Sequence, residues 1–237
     1  MARLDAVDGF ERQRKGDAIY LALKRQLLRG EYALGASLSV QELVVSVRTS
    51  RQPVMEALKR LQAEGFVDVI PQVGCRVATP SPEEALDFYE VFATMEGLVS
   101  RLAAERRQPE GVDEMRFMVA RMQDGLHAGQ FDNARYAELN RDFHSSIHRC
   151  ADSREARMAA EMYWDRSDFL IASTRPPFWR TNMDRAQDEH EALFHAVEAG
   201  NGPAAQALAY RHIRSFGEAV AEHLFRVNGA NSSLTPT

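Results

Sequence analysis

Cysteine is scarce in this 237-residue chain, which has only Cys75 and Cys150. Two cysteines exclude a disulfide framework and a cysteine-based zinc cluster, and they point to a reducing, cytoplasmic setting. No uncharged apolar run approaches the roughly 18 residues of a membrane helix, so no membrane partner is expected. The opening stretch MARLDAVDGFERQRK carries charges where a signal peptide has its apolar segment, and export is not expected. Beyond residue 80, strand-type alternation is missing, and the chain has no internal repeat. What is plentiful is apolar content: 45% hydrophobic residues supply a packed core and exclude wholesale disorder.

Charge is unevenly placed. The net charge is −5, but residues 1–79 hold 12 Lys/Arg against 9 Asp/Glu, while residues 80–237 hold 17 against 25. A basic module followed by an acidic one suggests that only the first meets a polyanion.

The modules are separated at Thr79-Pro80-Ser81-Pro82-Glu83-Glu84. Two prolines in three residues stop what precedes them. Ser81 is then a good N-cap, Pro82 suits the first helical position, and Glu84 completes a capping box. Residues 80–82 therefore read as a linker between a domain at 10–79 and a second at 82–228, with a polar tail at 229–237. In the second domain apolar residues recur at helical spacing, as in Leu86/Tyr89/Val91, Met115/Met118/Val119/Met122 and Ile213/Phe216/Val220. Breaks at Pro109, Gly129, Asp152, Pro176-Pro177 and Gly200–Pro203 delimit six helices: 82–107, 110–128, 132–150, 153–173, 182–199 and 203–226. The fold class is mainly α, an N-terminal winged helix-turn-helix followed by an antiparallel six-helix bundle.

The winged head follows from residues 17–79. Residues 17–29 read as a first helix, with Ile19, Leu23 and Leu27 on one face. Ser39 and Glu42 form a second capping box, opening a short helix with Leu43 and Val47 inward. A third helix starts near Ser50, tolerates Pro53 in its first turn, turns Val54, Leu58 and Leu61 inward and ends at Gly65. Phe66–Ile70, a turn over 71–74 and Cys75–Val77 form a hairpin. The third helix is the one that enters a major groove by its N-terminus. Arg48, Thr49, Ser50, Arg51 and Gln52 cluster there, with Arg76 on the wing. Arg51 can bond guanine O6 and N7 together, and Gln52 can pair with adenine. Cys75 and Cys150 read as small packing residues.

Leu34-Gly35, Leu38-Ser39-x-x-x-Leu43, Ser50-Arg51-Gln52-Pro53-Val54-Met55-Glu56-Ala57-Leu58, Leu61-x-x-Glu64-Gly65 and Gly74-x-Arg76-Val77 carry a resemblance over some 60 residues. They resemble the DNA-binding domain of GntR-type transcriptional regulators. Two positions depart from that family: Met55 stands where Arg is usual, and Arg48 where Gly is usual. The resemblance implies a double-stranded DNA operator as partner.

Seven histidines occur in the second domain. Asn140 and His144 are four apart on one helix face, beside Leu139, Phe143 and Ile147. His190 is in line with Phe194 and Val197, and His212 lies between Leu208 and Phe216. Three inward histidines and an amide oxygen make a plausible N/O metal site, while each histidine alone reads first as a hydrogen-bonded core residue. His148, one turn beyond His144, reads as a helix-end surface residue, with pocket lining as the alternative.

Leu139-Asn140-x-x-Phe143-His144-x-x-Ile147, Glu189-His190, Ala192-x-x-x-Ala196-Val197-x-x-Gly200 and Ala209-x-x-His212 are similar to the FCD ligand-binding domain of the FadR-type branch of these regulators, in its shorter, VanR-like six-helix form. The resemblance implies that Asn140, His144, His190 and His212 hold a divalent ion, Zn²⁺ first, with Ni²⁺ or Mn²⁺ as alternatives. It implies a small organic acid as effector. Phe92 takes the place where many members have a carboxylate-holding Arg, so either the effector is less anionic or another Arg supplies the charge, with Arg101, Arg121 and Arg166 as candidates. A set of three imidazoles and an amide brings no carboxylate to the ion, which would leave the site strongly cationic.

Together these readings describe a cytoplasmic, homodimeric regulator, a repressor, that reads a palindrome through two heads. The rivals are a metal-dependent enzyme on a helical bundle and a regulator whose metal is purely structural. No Glu-x-x-His motif supports the enzyme, and that reading leaves the winged head unexplained.

Overall fold

The computed structural model describes residues 2–70, 74–129, 133–173 and 178–232. The chain packs as two units, Met1–Pro80 with Trp164–Arg175, and Ser81–Tyr163 with Pro176–Thr237.

The first unit contains α1 (Ala2–Leu28), β1 (Ser37–Leu38), α2 (Val40–Ser46), α3 (Arg51–Ala63), β2 (Val67–Ile70) and β3 (Gly74–Val77). Ile19, Leu23 and Leu27 of α1 meet Val54, Ala57, Leu58 and Leu61 of α3 in a core closed by Phe66, Val67 and Val77. Pro53 is buried in the first turn of α3, where its missing N–H has no intrahelical use. The wing is a three-stranded antiparallel sheet in the order β1-β3-β2, with Leu38 opposite Cys75 and Val67 opposite Val77. Its third strand, β1, is only two residues long and has no periodicity to reveal it. The turn expected over 71–74 lies outside the described residues at 71–73.

Two expectations about the head are corrected. The first helix reaches back to Ala2 rather than starting at 17. No residue of α2 is buried, and Val47, expected inward, is the C-cap of α2 and 40% exposed. A seven-residue helix is too short to keep a stripe on one face through its last turn.

Residues 164–173, the second half of a helix beginning at Arg154, belong by packing to this first unit. The ring of Phe169 meets Phe66 edge-on at 5.3 Å. Lys24 Nζ lies 2.7 Å from both Glu64 and Asp165 and donates to Tyr20 Oη at 3.0 Å.

The second unit is built from α4 (Pro82–Arg106), α5 (Pro109–His127), α6 (Asn133–Ala151), the first half of α7 (Arg154–Ser173), α8 (Phe178–Glu198) and α9 (Gly202–Ser232). Ser81 opens α4 with the expected capping box: its hydroxyl accepts from Glu84 N–H at 3.1 Å, and its own N–H donates to the Glu84 carboxylate at 2.8 Å. The inward face of α4 runs through Ala85, Tyr89, Phe92, Glu96 and Ala103, whereas Leu86 and Val91 are turned out. Of the three apolar residues expected on this stripe, Tyr89 lies on it and Leu86 and Val91 do not. α4 lies against α9 at glycine contacts. A Cβ on Gly217 would fall 2.4 Å from Tyr89 Cβ, and one on Gly97 would fall 3.0 Å from the Gln206 carbonyl oxygen. The last helix continues through Ser232, so residues 229–232 of the expected tail are helical; 233–237 lie outside the described residues.

Candidate functional sites

The N-terminus of α3 gathers the head's polar residues. Ser50 caps the helix by position, but its hydroxyl makes no capping bond. Arg51 and Gln52 follow, both exposed, and Gln52 Nε2 donates to Glu56 at 3.2 Å. Arg48 is exposed in the turn between α2 and α3, with φ of +49°, and Thr49 beside it is half-buried. A left-handed residue at that point explains why glycine suits it: only a residue without Cβ takes that conformation freely. Arg76 is exposed on β3 and paired with Asp68 across the wing at 3.2 Å. A row of exposed cations beside a free helix N-terminus suits phosphate and base edges.

The histidine site lies inside the second unit. His144 comes from α6, His190 from α8 and His212 from α9. All three are buried, and they offer ligand atoms within 4.8 Å of one another. Their ring centroids are separated by 5.3, 5.3 and 4.6 Å. Phe143 and Phe216 pack on the rings of His190 and His212. Helical spacing brings each histidine inward because each sits on the apolar stripe of its helix.

The donor set fits a divalent ion. Asn140, one turn before His144, is buried, and its Oδ1 has no hydrogen-bond partner among the described residues. Such an orphaned acceptor is costly unless a ligand takes it. Burial pushes His144 down to about 4 against the pull of Glu96, and it drives His190 well below the ordinary imidazole range. Both rings are therefore neutral near pH 7 and offer lone pairs. Imidazole nitrogen with an amide oxygen suits Zn²⁺ and its neighbours in the first transition series.

Carboxylates stand directly behind these histidines, contrary to the strongly cationic site expected from the ligands alone. Glu189 accepts from His212 Nδ1 at 2.7 Å. Glu96, fully buried on α4, lies 3.7 Å from His144 Nδ1 and accepts from His148 Nε2 at 2.9 and 3.1 Å. Burial opposes its charge, but His148 and His144 hold its carboxyl down at about 2. His148 is thus an inward residue 9% exposed, not a helix-end surface one. Glu96 and His148 fall four residues from Phe92 and His144, so the helical period was the signal that could have turned both inward. Glu189 gives no such signal. It precedes His190 and turns to His212 on the neighbouring helix.

The four effector candidates are scattered. Phe92 is buried and stacks on Tyr163 at 5.8 Å, with the rings 11° from parallel. Arg101 is half-buried and lies 3.8 Å from Glu105. Arg121 lines an outward groove of about 720 Å³ with Phe117, Asp124 and Arg135, a groove lined by none of the histidines. Arg166 belongs to the first unit, where its guanidinium lies over Gly65.

Comparison with known proteins agrees with this architecture. Residues 15–77 match the family model "Bacterial regulatory proteins, gntR family", and residues 87–215 match "FCD domain". The chain belongs to the FCD-bearing branch of the GntR family, whose members are DNA-binding transcriptional regulators rather than enzymes. It is 25% identical over 202 residues to a probable D-xylose utilization operon transcriptional repressor of Paenarthrobacter nicotinovorans, covering 83% of this chain and 84% of that one. It is 24% identical to the transcriptional repressor RspR of Escherichia coli, over 86% of this chain and 88% of that protein. Among solved structures, E. coli McbR/YncC aligns with a TM-score of 0.71 at 19% identity, covering 88% of this chain and 97% of that one. The chain is a transcriptional regulator with relatives named as repressors. No helix among the described residues is long and apolar enough to cross a membrane.

Proposed function

We propose that this regulator is a cytoplasmic homodimeric repressor that reads a palindromic operator and is controlled by a small organic acid at a metal-holding site. The observation that carries the reading is the convergence of His144, His190 and His212, with the orphaned Asn140 oxygen one turn from His144. These four residues would hold the ion, Zn²⁺ first, with Ni²⁺ or Mn²⁺ as alternatives. When bound, the ion supplies a coordination position for an anionic oxygen of the effector. The chain's own residues exclude water, present neutral nitrogens and balance charge through Glu96 and Glu189. In the head, Arg51 and Gln52 read base edges, while Arg48, Thr49, Ser50 and Arg76 hold phosphates or the adjacent groove. One head makes few base contacts, and a two-fold dimer doubles them. Residues 10–79 act as the DNA-binding domain and 82–228 as the sensing and dimerising domain, joined at 80–82.

The test combines elemental analysis with operator titration. Arg51→Ala weakens operator binding by about 1–3 kcal/mol at fixed salt without changing metal content. His144→Ala lowers metal content and effector response while leaving effector-free operator binding in place. Full metal content in His144→Ala, with an unchanged effector response, would overturn the sensing site.

A further inference from the structure

The three histidines are not equivalently supported. His212 Nδ1 lies 2.7 Å from the Glu189 carboxylate. An ionised carboxylate has no hydrogen to give, so the proton of that bond sits on Nδ1, and in the neutral ring Nε2 keeps its lone pair. Glu189 is itself braced. Arg185 Nη1 donates to it at 3.0 Å, Arg185 also reaches Asn182 at 3.0 Å and Ser215 Oγ at 2.5 Å, and Ser215 returns a bond to the His212 carbonyl at 2.7 Å. The bonds close a ring between α8 and α9 around one imidazole. His190 has no such support. Its Nδ1 has no partner among the described residues, and its Nε2 lies 3.2 Å from His212 Nε2. Only one proton fits between those two nitrogens, and with His212 protonated on Nδ1 it belongs to His190.

We propose that Glu189, braced by Arg185, is a positioning residue that presets His212 in the Nδ1–H tautomer and so presents its Nε2 lone pair to a divalent ion, an inference that rests on the metal-holding reading above. Ion uptake then requires a proton to move on His190, from Nε2 to Nδ1, while His212 is ready beforehand. Outer carboxylates of this kind fix ring orientation and raise ligand basicity, and losing one typically costs 10–100-fold in metal affinity.

The experiment has two arms on the full-length protein. In the first, nitrogen-15 NMR of the metal-free wild type reads the His212 ring directly. A protonated Nδ1 with a bare Nε2 is expected, and a proton on Nε2 overturns the proposal without any variant. In the second, zinc affinity is measured by competition with a chromophoric chelator for the wild type, Glu189→Gln and Glu218→Gln. The Glu189→Gln amide offers both a donor and an acceptor and no longer forces one tautomer. Its affinity is expected to fall 10–100-fold, with a mixed His212 tautomer in the metal-free spectrum. Glu218, in an exposed pair with Arg214, serves as the control and leaves affinity unchanged. Equal zinc affinity in wild type and Glu189→Gln overturns the role of Glu189 while sparing the metal site. Absence of zinc binding by the wild type overturns the metal reading itself. Should Glu189→Gln fail to fold, the wild-type tautomer alone decides.

Discussion

Arg48 holds a left-handed backbone just before α3, and a side chain with a Cβ pays for that conformation with about 1–2 kcal/mol. Glycine would remove the steric cost and return part of it as unfolded-chain entropy. Arg48→Gly is therefore expected to stabilise the protein by roughly 0.5–1 kcal/mol in denaturant unfolding, while weakening operator binding through the lost cation. A destabilised variant would show that Arg48 makes compensating contacts in the folded head. The buried titratable groups make a second expectation. His144 is held at about 4 and His190 well below its ordinary range, chiefly by burial. In the unfolded chain both take up protons near pH 6.5. As pH falls from about 6.5 toward 4 the unfolded state binds protons that the folded state refuses, and stability drops. Glu96, held at about 2, stabilises the fold above about pH 4.5 and loses that contribution as pH falls toward 2. Both effects have one sign, so the melting temperature of the metal-free protein should decline steadily on acidification from pH 7. A flat profile between pH 6.5 and 4 would contradict the buried, neutral histidines.

The six long helices were legible in the sequence because capping residues and breakers bound them. Ser81, Pro82 and Glu84 place the start of α4 to the residue, and Gly200 to Pro203 separate α8 from α9. Inward histidines were legible from the stripe they share with Leu139, Phe143, Phe194 and Phe216. Pairings across helices were not. Nothing in the order of residues says that Glu189 meets His212 or that Glu96 meets His148, because such contacts depend on helix rotation and crossing. The two-residue strand β1 and the exposed α2 escaped for a related reason, since short elements carry too few residues to show a period. Close helix approach is also a matter of contact rather than pattern. Gly217 leaves room for Tyr89, and Gly217→Ala should destabilise the protein by about 1–3 kcal/mol through overpacking. Chemical denaturation reads this directly. An unchanged midpoint would mean that Tyr89 shifts freely, despite being fully buried.

At the scale of the whole molecule, the linker at 80–82 does not mark every boundary. Trp164–Arg175 packs with the first unit, with Phe169 buried against Phe66 and Asp165 tied to Lys24. A fragment beginning at Ser81 would leave that half of α7 without its cover. It should melt at a lower temperature than the full chain and bind a hydrophobic dye at neutral pH. A fragment that melts with the intact protein and stays dark to the dye would show that α7 is held without the head.

Inheritance of the two halves is constrained by the same feature. A recombination event at the proline linker that attached a foreign head would bring a new Lys24 and Phe66 to an unchanged Asp165 and Phe169. Asp165 and Phe169 lie 85 and 89 residues beyond Pro80, so a single cut cannot carry them together. Functional hybrids in this family should be found where the helix segment equivalent to Trp164–Arg175 travels with the head. Builders of synthetic regulators would need a two-segment graft rather than one.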